Sequence, residues 1–96
     1  MIKPEYKEMI LRALEYHFPG AKVILFGSRA RGDNKPASDI DLAVDADGKP
    51  VDFRELFRAK NTLENLNMPY KTDLVDVNGV VDELRAVILK EGIRWK

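Results

Sequence analysis

Residues 23–44 read VILFGSRARGDNKPASDIDLAV, and the reading of this stretch decides the fold. Val23, Ile24, Leu25 and Phe26 form a short unbroken apolar run, the mark of a buried strand. The run stops at Gly27-Ser28, where a glycine lets the backbone come close to a bulky group because no Cβ stands in the way. Residues 29–38 are polar and carry Gly32, Asp33, Asn34 and Pro36, so they read as loop, opening with a helical turn at most. Residues 39–44 then alternate and read as a second strand. Asp39 and Asp41 share one face, while Ile40 and Leu42 point into the core.

Working outward, Tyr6, Met9, Ile10, Ala13 and Leu14 fall at helical spacing over residues 4–17. Pro4 suits the first turn of that helix, and Pro19-Gly20 ends it. Downstream, Asp47-Gly48 makes a turn. Asp52 is placed to cap a helix that runs to about Asn67, with Glu55 completing a capping box and Phe53, Leu56, Phe57, Leu63 and Leu66 turned inward. Met68-Pro69 breaks the helix, and residues 71–77 read as a third strand. Asn78 then caps a last helix carrying Val81, Leu84, Val87 and Ile88; Gly92 ends it, and residues 93–96 extend as a tail. The expectation is an α/β (α+β) domain over residues 1–96: a small mixed sheet of about three to four strands with helices packed against it.

Composition narrows the function classes. Lys+Arg and Asp+Glu each number 16, so the formal net charge is zero and no direct nucleic-acid partner or anionic membrane is expected. The absence of cysteine excludes disulfides, thiolate zinc sites and a cysteine nucleophile. The N-terminal Met1-Ile2-Lys3-Pro4-Glu5 turns polar at once, without the apolar region of a signal peptide, and no stretch reaches membrane-spanning length. A cytoplasmic location is the expectation.

Three features carry chemistry. Gly27-Ser28 after a buried strand offers backbone donors to a phosphate, and Arg29 and Arg31 add charged ones. Asp39 and Asp41, two apart on a strand, repel by roughly 4 kcal/mol at an effective dielectric near 20 unless water or a cation relieves them; such hard oxygen ligands suit Mg²⁺. Asp73 stands inside the third strand, where aspartate is disfavoured, and can join the pair if that strand neighbours the second. Each feature alone also fits a plain reading: a simple turn at Gly27-Ser28, or acids on a solvent-facing strand edge. Asp76 reads as a turn or cap residue. Together the three supply what two-metal phosphoryl chemistry needs, with the third carboxylate binding a metal or taking the proton.

Of the remaining residues, His17 reads as a packing or helix-end group, Lys71 as blunting a sheet edge, and Tyr6, Tyr16 and Tyr70 as half-buried. Trp95, in the basic tail Arg94-Trp95-Lys96, either anchors a partner or folds back onto the core.

Gly27-Ser28, ten intervening residues and Asp39-Ile40-Asp41 resemble the Gly-Ser-x10-Asp-x-Asp signature of the nucleotidyltransferase superfamily that includes DNA polymerase beta. The longer string GSRARGDNKPASDIDL, with the following DLVDV strand, is similar to the minimal nucleotidyltransferases (MNT) and to the antitoxin half of HEPN–MNT toxin–antitoxin pairs. The resemblance implies the fold of that superfamily, ATP as donor and two Mg²⁺ ions. It implies Asp39, Asp41 and Asp73 as metal-binding and catalytic acids, and Gly27 and Ser28 at the donor phosphates. For the antitoxin group it implies AMP transfer to a tyrosine hydroxyl of a HEPN toxin, an RNase, in a hetero-oligomer with that toxin. Two alternatives stand beside it: a masking antitoxin that binds its toxin without chemistry, and a transferase for a small molecule. The second generally needs an added acceptor domain, for which a core of this size leaves little wall.

Overall fold

A computed structural model describes residues 2–96. The elements run α1 (Pro4–His17), β1 (Lys22–Phe26), α2 (Ser28–Arg31), β2 (Ile40–Asp45), α3 (Phe53–Glu64), β3 (Thr72–Asp76), α4 (Asp82–Glu91) and β4 (Ile93–Arg94). Among the described residues the strands form one four-stranded sheet in the order β3-β2-β1-β4. β1 pairs antiparallel with β2 and β4, and β2 pairs parallel with β3, so the sheet is mixed as expected. A parallel neighbour requires a crossover, and α3 supplies it between β2 and β3.

Strand alternation sorts the side chains into two layers. Val23, Leu25, Ile40, Leu42, Val44 and Leu74 face α1 and α3, meeting Ile10, Leu14, Ala59 and Leu63 in the main core. Phe26, Ala43, Val77 and Ile88 form a smaller core on the other face, beneath α4, with Ile24 and Val75 at its margin. On β2 the even-numbered residues therefore enter the main core, while Asp41, Ala43 and Asp45 face the α4 side. The two sheet faces are unequally covered, and the thinner side carries the acids.

Several local expectations need correction. Phe53 and Phe57 are 80% and 59% exposed, so the buried stripe of α3 consists of Ala59 and Leu63, with Leu56 and Leu66 partly covered. Phe53 opens the helix beside a groove lined by Val51, Val75 and Val80, where no further layer covers it. Asp52 does cap α3, accepting from the Arg54 and Glu55 N–H groups at 2.7 and 3.3 Å. The Glu55 side chain does not close the box; it turns to His17 and Arg58. Val81, not Asn78, stands at the N-cap of α4, because the Asn78 amide is drawn to Asp45 Oδ1 at 2.8 Å. Val81, expected on the last helix, is 67% exposed, and Tyr16, expected half-buried, is 81% exposed. Trp95 folds back, half-buried against the core: its backbone N–H donates to the Val23 carbonyl at 2.8 Å and Lys7 Nζ lies 5.3 Å from the centroid of its ring.

Asp76 ends β3 and opens the turn that follows, its carbonyl accepting the Gly79 N–H at 2.9 Å. It is buried, and its carboxylate accepts the Val51 N–H at 2.9 Å and the Asn78 N–H at 3.0 Å. Asp76→Ala leaves two partly buried donors without their charged acceptor and is expected to cost about 2 kcal/mol, because bonds to a charged acceptor carry more than neutral ones. Urea unfolding measures the loss, and an unchanged midpoint would rule out this role.

His17 ties α1 to α3. Its ring nitrogens lie 2.5 Å from Glu55 Oε2 and 2.7 Å from Thr62 Oγ1, a packing and bridging part with no ligand role. The hydrogen bond from His17 is the main cause holding the Glu55 carboxyl below its usual range.

Candidate active site

β2 is flanked on both sides, and the register puts Asp41 between Phe26 of β1 and Asp73 of β3. Adjacent strands lie roughly 4.8 Å apart, so two acids at matched positions are close neighbours. Asp41 and Asp73 share the α4 face, because Ile40, Leu42 and Leu74 occupy the main core between them. Asp39 precedes the first residue of β2 and is exposed, so the expected strand begins one residue late. It nevertheless acts on Asp41 through its charge.

The electrostatics of Asp41 record this crowding. Burial pushes its carboxyl above the ordinary aspartate range, the negative charges of Asp73 and Asp39 push it further, and Arg31 pulls the other way. Asp45, two residues along the same strand, behaves oppositely: the Gly48 N–H and then the Asn78 amide hold its carboxyl below the usual range. Among the described residues, Asp45, Asp52 and Asp76 take hydrogen bonds from the protein, whereas no such bond reaches Asp39, Asp41 or Asp73. Crowded carboxylates without donors fit a divalent cation. Among the described residues no group of three or more His, Cys, Asp or Glu is placed to hold a metal ion by itself. The carboxylates are hard oxygen donors of the kind Mg²⁺ takes alongside waters and substrate phosphates.

Gly27 meets this cluster from β1. Its φ of 76° lies in the left-handed region, and a Cβ built on it would land on Asp41 Oδ2. Only glycine lets the end of β1 pass so close to the acid. The Gly27 carbonyl accepts the Ala30 and Arg31 N–H groups at 3.1 Å each, and Gly32, at φ 85°, closes the turn by donating to the Ser28 carbonyl at 2.9 Å. The first N–H groups of the turn, at Ser28 and Arg29, have no partner within it.

The two arginines go different ways. Arg31 is exposed; its Nε is 3.2 Å from Asp33 Oδ2 and its Nη1 is 3.4 Å from Glu91 Oε2. Arg29 is engaged by the loop. It donates from Nε and Nη2 to the Ser38 carbonyl at 3.1 and 2.9 Å, and from Nη2 to the Pro36 carbonyl at 3.2 Å.

A cleft of about 500 Å³ opens at the edge of the sheet, lined by Asp39, Glu64, Tyr70, Lys71, Thr72 and Asp73. A hollow of about 340 Å³ beside it shares Asp39, Tyr70 and Lys71. Both are within the usual size range of small-ligand sites. Asp41, Gly27 and Ser28 do not line the cleft; Asp39 and Asp73 connect it to them. Tyr70, Thr72 and Glu64 escape sequence reasoning. The one available signal for the first two was their place just before Asp73.

A pH dependence follows. A metal and a proton compete for Asp41, so metal binding is lost as pH falls through the raised carboxyl pKa, at a higher pH than for an ordinary aspartate. Arg31→Gln removes the one opposing influence, and is expected to move that acid limb upward. Mn²⁺ titrations across pH check this; a limb that stays put or moves down contradicts it.

Comparison with known proteins adds independent findings. The family profile described as "Polymerase beta, Nucleotidyltransferase" matches residues 8–94. A Haemophilus influenzae protein named "Probable protein adenylyltransferase MntA" is 33% identical over 89 residues, covering 93% of this chain and 77% of that protein. A crystal structure of a toxin-antitoxin with AMP-PNP is similar at a TM-score of 0.77 and 26% identity, over 92% of this chain and 70% of that one. A structure of tri-AMPylated Shewanella oneidensis HEPN toxin in complex with MNT antitoxin is similar at a TM-score of 0.74, over 97% of this chain and 71% of that chain. Its identity is 22%, and that likeness is one of fold.

Proposed function

This chain belongs to the polymerase beta-type nucleotidyltransferase family, and from that premise we propose that it transfers AMP from ATP to a tyrosine hydroxyl of a HEPN-type toxin, which it thereby neutralises. The observation that carries the reading is the register match of Asp41 with Asp73 beside Gly27. It sets acids without hydrogen-bond donors next to a turn with free N–H groups. Residues 1–96 serve as the nucleotidyltransferase domain.

Asp39, Asp41 and Asp73 would hold the divalent metal, two Mg²⁺ ions in all, and the N–H groups at Gly27-Ser28 and the Arg31 guanidinium would bind the donor phosphates. When bound, Mg²⁺ neutralises phosphate charge and lowers the pKa of the attacking hydroxyl. The tyrosine oxygen bonds to the α-phosphorus of ATP, the bond from that phosphorus to the bridging oxygen breaks, and pyrophosphate leaves with the electron pair. Asp73 stands where it can take the hydroxyl proton. The donor-side groups come from β1, α2 and β2, while Asp73 opens onto the sheet-edge cleft. That placement leaves the acceptor side open to another protein. No described helix is long and apolar enough to cross a membrane, and we assign the action to the cytoplasm.

The test mixes this protein, a co-purified HEPN partner, Mg²⁺ and ATP labelled on the α-phosphate. Label should appear on a tyrosine of the partner and vanish with Asp39→Asn. If Asp39→Asn still silences the toxin as well as wild type, masking replaces transfer as the explanation. Label found only on a small molecule would move the activity to that acceptor class.

A further inference from the structure

We propose that Arg29 is a positioning residue, whose guanidinium grips the segment delivering Asp39 and so sets that acid against Asp41 for metal binding. The proposal rests on the nucleotidyltransferase reading above and gives Arg29 a part other than the phosphate contact that its charge and place suggest.

Of the three acids, Asp39 is the one outside the strand ladder. Asp41 and Asp73 are fixed by their paired positions, whereas the sheet takes hold of this segment only at Ile40, whose N–H donates to the Lys71 carbonyl at 2.8 Å. The chain before Asp39 makes a small local turn: the Lys35 N–H donates to Ser38 Oγ at 2.9 Å and the Ser38 N–H to the Lys35 carbonyl at 3.0 Å. Those bonds close the turn on itself without attaching it to the body of the domain. Arg29 makes the attachment. Its Nε and Nη2 converge on the carbonyl of Ser38, the residue bonded to Asp39, and Nη2 also reaches Pro36. A planar guanidinium fork fixes direction as well as distance.

The same group is held from its own face. The guanidinium carbon lies 5.0 Å from the centroid of the Tyr70 ring, and Tyr70 meets Tyr6 edge-on with centroids 5.6 Å apart. Cation–π contact adds to the orientation of the fork. One side chain thus joins the turn after Gly27, the approach to Asp39 and the approach to β3, with α1 as backing. Tyr70 and Asp39 also line the same cleft. Groups that orient a metal ligand from behind typically change metal affinity by about 10–100-fold when removed.

The test compares wild type with Arg29→Lys, Arg29→Met and Tyr70→Leu, using the protein alone. Mn²⁺ binding is followed by the electron paramagnetic resonance signal of the free ion, without nucleotide. ATP binding is measured by calorimetry at saturating Mg²⁺. Lysine keeps the charge and loses the fork, so both Arg29 variants should weaken Mn²⁺ binding by about tenfold. ATP affinity at saturating metal should change by less than about threefold, since no direct phosphate contact is lost. Tyr70→Leu, which leaves the fork bonds in place, should shift Mn²⁺ binding in the same direction by less, and it covers the case in which Arg29→Met fails to fold. Wild-type Mn²⁺ affinity in Arg29→Lys, with ATP affinity lost in Arg29→Met, would assign the residue to phosphate binding and overturn the proposal. A wild-type protein that binds no Mn²⁺ would instead bring down the nucleotidyltransferase reading, and this inference with it.

Discussion

Asp41→Asn is expected to reduce AMP transfer by at least about 10³-fold while raising the melting temperature of the metal-free protein. The two effects share one cause. Asp41 lies on an inner strand with Asp73 as its register neighbour, and burial followed by the Asp73 and Asp39 charges lifts its carboxyl above the ordinary range. A carboxyl that binds its proton more tightly in the folded state than in the unfolded chain costs stability when ionised. That cost applies at pH values above the raised folded pKa and disappears as pH falls through it. Asparagine is close in shape to the neutral form and carries no charge at any pH, so it removes the penalty permanently. On the proposed function it also removes a hard anionic ligand for Mg²⁺, so transfer should fail. Thermal melts in a chelating buffer at pH 7, paired with the α-phosphate label assay, read both effects. A lower melting temperature for the variant would mean that the ionised carboxylate had been stabilising the fold, contrary to the argument.

Gly27→Ala should be nearly as damaging to activity, and unlike the first change it should also weaken the fold. At φ 76° an L-residue is strained by about 1–3 kcal/mol, and the added methyl must displace Asp41 Oδ2. Together these lower the melting temperature by roughly 10 °C for a domain of this size. Shifting a reacting group by about 1 Å costs on the order of 10² in rate, so transfer should fall by at least that factor. Gly20 supplies the control. Its φ of 78° is nearly the same, but a Cβ there meets nothing within 4 Å. Gly20→Ala therefore places an L-residue at positive φ without the collision, and should lose stability while keeping its transfer rate per folded molecule. Equal losses of activity in the two variants would show that strain alone, not contact with Asp41, explains the requirement at Gly27.

What could be read from the chain depended on how far apart the interacting residues lie. The Gly27-Ser28 turn and the alternation around Asp41 are local, since both follow from neighbours in the sequence. The alliance of Asp41 with Asp73 is not local. It required β2 and β3 to pair in parallel, which composition and periodicity could allow but not impose. Helical spacing predicts Phe53 and Phe57 inward because apolar residues at that spacing mark a stripe, yet spacing does not reveal where the layer beneath a helix ends. β4 was visible only as an extended tail; two residues are too few for a pattern, and the backbone of β1 makes the strand. Arg29 illustrates the same limit at the site. Its charge suggests a phosphate, but its actual acceptors are two main-chain carbonyls brought within reach by the loop.

The matched positions of β2 and β3 also constrain how the gene can vary. Deleting a single codon between α3 and β3 must either be absorbed entirely by the short stretch around Pro69 or slip the strand by one position. A slip would put Leu74 beside Asp41 where Asp73 now stands, carry Asp73 back to the place of Thr72, and leave Val75 to fill the space now taken by Leu74. Length changes of one residue in that connection are therefore far less forgiving than substitutions there, and lineages should diverge in its spelling long before they diverge in its length.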